Sequence, residues 1–399
     1  MNSQDELSSV APLHRLAPKS LYIHIPFCES KCFYCDFNSY VANDDVKAKY
    51  TESLLKELTL IHEAYFLKGD RPRLDTLFFG GGTPTVLPLA QWEKVATFLH
   101  DRFSIDQGTE WTVEANPGSV NDSVLGELKR FGVNRLSFGA QTFNETLLLA
   151  IGRLHSVRDI EKSVERAMQI GFRRISLDLM FGLPDQTLSD VRESVRRAVD
   201  FGLGHVSVYG LKVEEGTPFA KWQTSGHLHL PEEDAEAAMY EEVRLLLQDA
   251  GFLQYEISNF ARAGEEARHN LTYWHNEPYL AAGAGAHGYV YGRRYENVKS
   301  LLRYQQMLAD MERPLEDALV VTAKEAMEDS VILGLRLREG VNKKAFLLHH
   351  GILLHEAFGQ VISSLKQRGM LVEDEERIVI PGKYFSVANE IMVHFLGNS

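Results

Sequence analysis

The chain of 399 residues holds only three cysteines, Cys28, Cys32 and Cys35, and all three fall within eight consecutive positions. So small and clustered a set excludes a disulfide framework and fits a reducing compartment, the cytoplasm. A second Cys/His knuckle, the usual complement of a structural zinc site, is missing. No uninterrupted apolar run is long enough to cross a bilayer, so any membrane contact is expected to be peripheral. Positive charge is scarce as well. With 42 Lys and Arg against 55 Asp and Glu, the formal net charge is −13, which speaks against nucleic acid as a partner. Residues 1–20 carry Asp5 and Glu6 and no apolar stretch, unlike a secretory leader.

What is present is ordinary for a globular protein: 44% hydrophobic and 24% charged residues. The length suffices for a large core and more than one domain. Between residue 21 and about 210, short apolar strands alternate with amphipathic helices. The strands are expected at 21–25, 74–79, 110–114, 135–138, 175–180 and 205–209, with helices at 45–65, 91–102, 123–131, 157–170 and 188–200. Near-continuous apolar strands between helices imply a parallel sheet with right-handed crossovers, and six such units close part of a (β/α)6 barrel. Chemistry in such a fold sits at the carboxyl ends of the strands.

The three cysteines follow the first strand. Thiolates on one tight loop can reach three corners of a small iron–sulfur cube and leave the fourth iron open to a ligand. The competing readings are three buried thiols, or zinc completed by His24 or Asp36. Further polar residues fall at successive strand ends. Gly80-Gly81-Gly82-Thr83 follows the second strand and lets the main chain approach a ligand closely. Glu114 and Gln141 end the third and fourth strands, and Arg153 follows. Asp178 lies inside the apolar fifth strand, where it requires a partner; Arg153 is the one expected.

The spacing Cys-x3-Cys-x2-Cys, with an aromatic before the last cysteine, resembles the cluster loop of the radical S-adenosylmethionine (SAM) superfamily. That resemblance implies a [4Fe–4S] cluster on Cys28, Cys32 and Cys35 whose open iron is chelated by SAM, and whose electron cleaves it to a 5′-deoxyadenosyl radical. Over most of residues 20–300 the motifs resemble, more narrowly, the oxygen-independent coproporphyrinogen III oxidase (HemN) family. The resemblance implies SAM contacts from Tyr22, Tyr34, Gly81, Gly82, Thr83, Glu114, Gln141, Arg153, Asp178 and Lys212.

Three features resemble the haem chaperone branch of that family, HemW. His269-Asn270-x-x-Tyr273-Trp274 matches its motif, which implies a haem-binding role for His269; read from the residues alone, it is a core aromatic pair with a satisfied histidine. Asp36-Phe37 stands where the oxidases usually carry a further cysteine, and the arm before the first strand is brief. The expectation is therefore a protein that binds haem and passes it to acceptor proteins, respiratory haem proteins among them, without coproporphyrinogen oxidase activity. The alternative is the oxidase reaction itself, giving protoporphyrinogen IX. A homodimer is a further expectation.

The expected division is an arm at 1–20, a radical SAM core at 21–230, an extension carrying the histidine motif at 231–300, and a mainly helical domain at 301–399. The last, with helices at 324–338, 343–350 and 353–367 and an acidic hairpin at 371–380, resembles a winged helix. Residues 254–260 are expected as one strand, and the small residues 282–288 as a close-packing segment.

Overall fold

A computed structural model describes residues 16–397; most of the expected amino-terminal arm lies outside the described residues. Strands β1 (Ser20–Ile25), β2 (Thr76–Gly81), β3 (Glu110–Ala115), β4 (Arg135–Gln141), β5 (Arg174–Phe181) and β6 (His205–Gly210) lie side by side in chain order, all parallel. Helices α1 (Asp44–Tyr65), α2 (Leu89–Arg102), α3 (Asp122–Phe131), α4 (Glu145–Ala150), α5 (Val157–Ile170) and α6 (Leu188–Asp200) connect them. Local signals fix several helix starts. Ser156 with Asp159 and Thr187 with Asp190 form reciprocal capping boxes ahead of α5 and α6.

After β6 come α7 (Pro218–Thr224), α8 (Glu233–Asp249) and a hairpin of β7 (Leu253–Gln254) with β8 (Asn259–Ala261). The single strand expected at 254–260 is thus broken. Its interruption centres on Glu256, which is fully buried and accepts hydrogen bonds from the Ser258 amide and the Asn259 side chain. A short helix, α9 (Arg268–Trp274), precedes β9 (Leu280–Ala282), which pairs in parallel with β1. The nine-stranded sheet runs β7-β8-β6-β5-β4-β3-β2-β1-β9 and stays open between its two ends. The small residues after β9 serve packing against protein: a Cβ on Gly283 would lie 2.5 Å from the His24 carbonyl oxygen and 2.6 Å from the Tyr50 hydroxyl.

One expectation about the strands needs correction. They are not apolar on both faces. Leu77, Phe79, Trp111 and Val113 face the helices, with the Phe79 ring 4.7 Å from that of Trp92. In the alternate positions Ser20, Tyr22, Thr76, Glu110, Glu114, Ser137 and Asp178 turn to the concave side. That side is polar: one end of it opens into a cavity, and the other is filled by hydrogen-bonded protein.

Beyond the sheet, β10 (His287–Val290), β11 (Arg293–Asn297) and β12 (Leu315–Val320) form an antiparallel sheet, with α10 (Leu301–Ala309) between the last two. The order α11 (Ala323–Leu335), β13 (Val341–Asn342), α12 (Lys343–His350), α13 (Leu354–Gln367), β14 (Val372–Glu373) and β15 (Arg377–Val379) is that of a winged helix. Helix α14 (Ala388–Met392) follows. The apolar core runs without a break from the barrel into this region. No helix among the described residues is long and apolar enough to cross a membrane.

Candidate functional site

The loop after β1 is held from both sides. Phe27 and Tyr40 form a bridge, the Cys28 amide donates to the Tyr40 carbonyl (3.0 Å), and the Phe33 amide donates to that of Ile151 (3.1 Å). The Phe33 ring packs edge-on against Trp222 at 5.0 Å, within a small apolar cluster of Leu147, Ile151, Leu183 and Phe219. Helices α4 and α7 therefore brace the cysteine loop, a contact between segments far apart in the chain.

Cys28, Cys32 and Cys35 line one cavity of about 370 Å³. Side-chain donors reach two of the sulfurs: the Thr83 hydroxyl is 3.6 Å from Cys28 Sγ, and Arg153 Nη1 is 3.4 Å from Cys32 Sγ, while the Phe37 main chain hydrogen-bonds Cys35. Burial pushes the Cys28 thiol up and that of Cys35 to about 11, so iron cations would have to supply the stabilisation of the thiolates. Zinc loses its geometry. Both ring nitrogens of His24 are committed, to Tyr22 and to the Asn38 carbonyl. Among the described residues no three His, Cys, Asp or Glu side chains are grouped to hold one ion. A cube needs no such convergence, because each thiolate takes a separate iron. The donor set fits a [4Fe–4S] cluster.

Of the expected SAM contacts, Tyr34, Gly81, Gly82, Thr83, Glu114, Gln141, Arg153 and Asp178 line the same cavity. The glycines are required by sterics: a Cβ on Gly81, at φ +105°, would run into the His24 ring, and one on Gly82 would lie 2.5 Å from the Phe27 carbonyl oxygen. Gln141 sits at φ +66°, an uncommon conformation for a non-glycine residue, beside a bulge in β4. Such backbone strain concentrates where ligands are gripped.

Glu114 and Asp178 set the electrostatics. Burial, then the neighbouring Asp178, pushes the Glu114 carboxyl up to about 8. Burial also raises Asp178, against hydrogen bonds from Ser207 and Ser137. Two half-buried carboxyls near one another on the cavity wall favour a cationic ligand, which would draw both into the charged form. SAM, with a sulfonium and an ammonium group, has that character. The Arg153 guanidinium acts on Asp178 through its charge, without a hydrogen bond to it. It hydrogen-bonds Cys32 Sγ and the Gly139 carbonyl, while Ser137 Oγ donates to Asp178 at 2.9 Å. The expected Arg153–Asp178 pair is thus an electrostatic interaction without a direct hydrogen bond, the direct bonds being those just given.

Two expected contacts stand apart. Tyr22 lies below the cavity, its hydroxyl 3.0 Å from His24 Nδ1 and its ring stacked on Phe78. Lys212 is at the surface, 2.7 Å from Glu214. Sequence reasoning missed Asn116, Ser137, Met180 and Tyr209, which also line the cavity. The strand alternation could have found Ser137 and Tyr209, which share the concave face with Asp178 and Met180: Ser137 lies opposite Ser176, two residues before Asp178, and Tyr209 lies opposite Met180.

His269 is placed at the other end of the barrel. Its Nδ1 is 2.7 Å from Thr76 Oγ1, at the first residue of β2, and its Nε2 is 2.8 Å from the Tyr273 hydroxyl. The cysteine loop follows the far end of β1, a strand of six residues and so roughly 17 Å away at about 3.3 Å per residue. The imidazole is buried, which lowers its pKa to about 3 and keeps it neutral.

Residues 22–198 match the radical SAM superfamily, and residues 321–383 match the HemN C-terminal domain. The chain is 43% identical, over 95% of its length and 99% of the relative's, to "Heme chaperone HemW" of Bacillus subtilis (strain 168). It is 33% identical, over 98% of both chains, to the protein of that name from Mycobacterium tuberculosis (strain ATCC 25618 / H37Rv). Among solved structures it superposes on coproporphyrinogen III oxidase (HemN) of Escherichia coli with a TM-score of 0.84. That match covers 99% of this chain and 93% of the other at 23% identity, which shows a shared fold. On the full-length similarity, the chain belongs to the HemW family of the radical SAM superfamily.

Proposed function

We propose that this protein binds haem and delivers it to acceptor proteins, on a scaffold that holds a [4Fe–4S] cluster and SAM. Full-length similarity at 43% identity to a relative named as a haem chaperone carries the reading. The oxidase is matched only at the level of fold, at 23% identity. Asp36-Phe37, in place of a further cysteine after the cluster loop, points the same way.

Cys28, Cys32 and Cys35 would hold the cluster, which supplies a one-electron centre with an open iron. Glu114 and Asp178 would bind the cationic groups of SAM, with Gly81, Gly82 and Thr83 shaping the backbone against it. Arg153 steadies the Cys32 sulfur, and Tyr34 and Gln141 close the wall. The unit from 21 to 230 carries this chemistry. Residues 231–300 contribute the helix with His269, and 301–399 the winged-helix-like domain. A reducing cytoplasm, a homodimer and respiratory haem proteins as acceptors complete the reading.

The test is anaerobic reconstitution with iron and sulfide, then titration with haem and transfer to an apo-haem protein, with protoporphyrinogen formation assayed in parallel. Haem uptake with transfer and no decarboxylation is expected. Robust decarboxylation without haem uptake would reverse the assignment.

A further inference from the structure

If haem is the cargo, His269 is badly placed to ligate it as the protein stands. Both its nitrogens are in hydrogen bonds, and its helix is packed against the barrel floor. The open space lies on the far side of α9. A groove of about 330 Å³ runs between the end of that helix and the winged-helix-like domain, lined by Trp274 and His275 and by Val341, Phe346 and His349. It adjoins a cavity of about 400 Å³ under the barrel, with which it shares His275 and Glu277.

Resting on the haem reading above, we propose that an iron tetrapyrrole docks in this groove with the His349 imidazole on its iron. Three observations support it. His349 lines the groove, and no hydrogen bond occupies either ring nitrogen among the described residues, unlike His269. Burial lowers its pKa, against the nearby Glu277, so the imidazole keeps the free lone pair a metal requires. The indole nitrogen of Trp274 is buried without a hydrogen-bond partner, beside a groove backed by the core residues Val341 and Phe346, 6% and 2% exposed.

His275 is a weaker candidate. Its Nε2 is 3.0 Å from Glu339, which Arg377 also holds at 3.2 Å, so this trio closes the rim. Lys19 and Arg268, lining the adjoining cavity, are the cations available to the propionates. Helix α9 would then form one wall of the haem site, and His269 would act as a positioning residue that fixes that wall from behind.

The experiment is a titration of the full-length protein with ferric haem, followed by the Soret band, for the wild type and for His349→Ala, Ala345→Trp and His269→Ala. Circular dichroism reports folding. Metal-free protoporphyrin IX, followed by fluorescence, separates loss of the iron ligand from loss of the groove. His349→Ala should weaken haem binding at least tenfold and alter the Soret position, with protoporphyrin binding retained. Ala345→Trp, which fills the groove, should weaken both. Wild-type affinity and spectrum in both variants would overturn the proposal, as would loss of the band in a folded His269→Ala alone. A wild-type protein that takes up no haem would instead overturn the haem-carrying reading, and the groove assignment with it.

Discussion

The two ends of the barrel are built from the same strands and the same inward-facing positions, yet they behave oppositely. At the amino-terminal end the principal polar groups are satisfied by protein. Glu110 pairs with Arg135 at 3.4 Å, with both side chains nearly inaccessible to solvent; His205 bonds Ser176 and Tyr255; and His269 bonds Thr76 and Tyr273. At the carboxyl end, thiols and carboxyls are pushed towards their neutral forms, Gln141 is strained, and the Arg153 Nε is buried with no partner. A polar lumen is thus not by itself a site. The site is the end whose groups await a partner that the protein does not provide.

The sharpest way to break that contrast is at the thiols. Serine at any one of Cys28, Cys32 or Cys35 should abolish the brown colour and cluster absorption after anaerobic reconstitution, because a cluster held by two thiolates lacks its protein anchor. At the sealed end the loss should be of stability. Glu110→Ala strands the buried Arg135 charge and should cost about 3–5 kcal/mol in denaturant unfolding.

Glu114 links the two regimes. Its carboxyl is favoured in the neutral form by the fold, at about 8 against an ordinary value of 4.5. Its contribution to stability is therefore complete below about pH 4.5 and lost as pH rises through 8. The ligand-free protein should lose melting temperature across that window, and Glu114→Gln should flatten the loss while weakening SAM binding. Gln141→Gly should relieve the left-handed backbone and stabilise the ligand-free protein by about 1 kcal/mol, with weaker SAM affinity. The smallest effect is expected at Lys212, whose ammonium is exposed beside Glu214: alanine there should leave the denaturant unfolding midpoint unchanged. A tenfold loss of SAM affinity in Lys212→Ala would show that the cavity extends to the surface loop.

The open end was legible in the sequence because its signals are local. The cysteine spacing, the glycine run and the strand-terminal Glu114 and Gln141 each sit within a few residues of the feature that reveals them. The helices at 157–170 and 188–200 were equally plain, since capping boxes begin them. The sealed end was not legible. One partner of His269, Thr76, lies 193 residues earlier, and Arg135 meets the carbonyl of Glu265, 130 residues later. Nothing in a local pattern reports such pairs. Strand β9 escaped for another reason: three small or aliphatic residues, Leu280, Ala281 and Ala282, become a strand only because the edge of β1 is there to receive them. Asp178 lines the cavity, and Arg153 acts on it through its charge alone, without a hydrogen bond. A nearby arginine is the obvious choice from charge alone, whereas the hydrogen bonds come from Ser137, diagonally across the β4–β5 pairing, with Gly139 directly opposite.

The most direct measurement of the difference between the two ends is the electron paramagnetic resonance spectrum of the reduced, reconstituted protein before and after addition of SAM. A cluster with one iron free for the ligand, flanked by Glu114 and Asp178, should show a clear change in g-values in the wild type and a diminished one in Glu114→Gln. A cluster signal that is identical with and without saturating SAM would contradict the account.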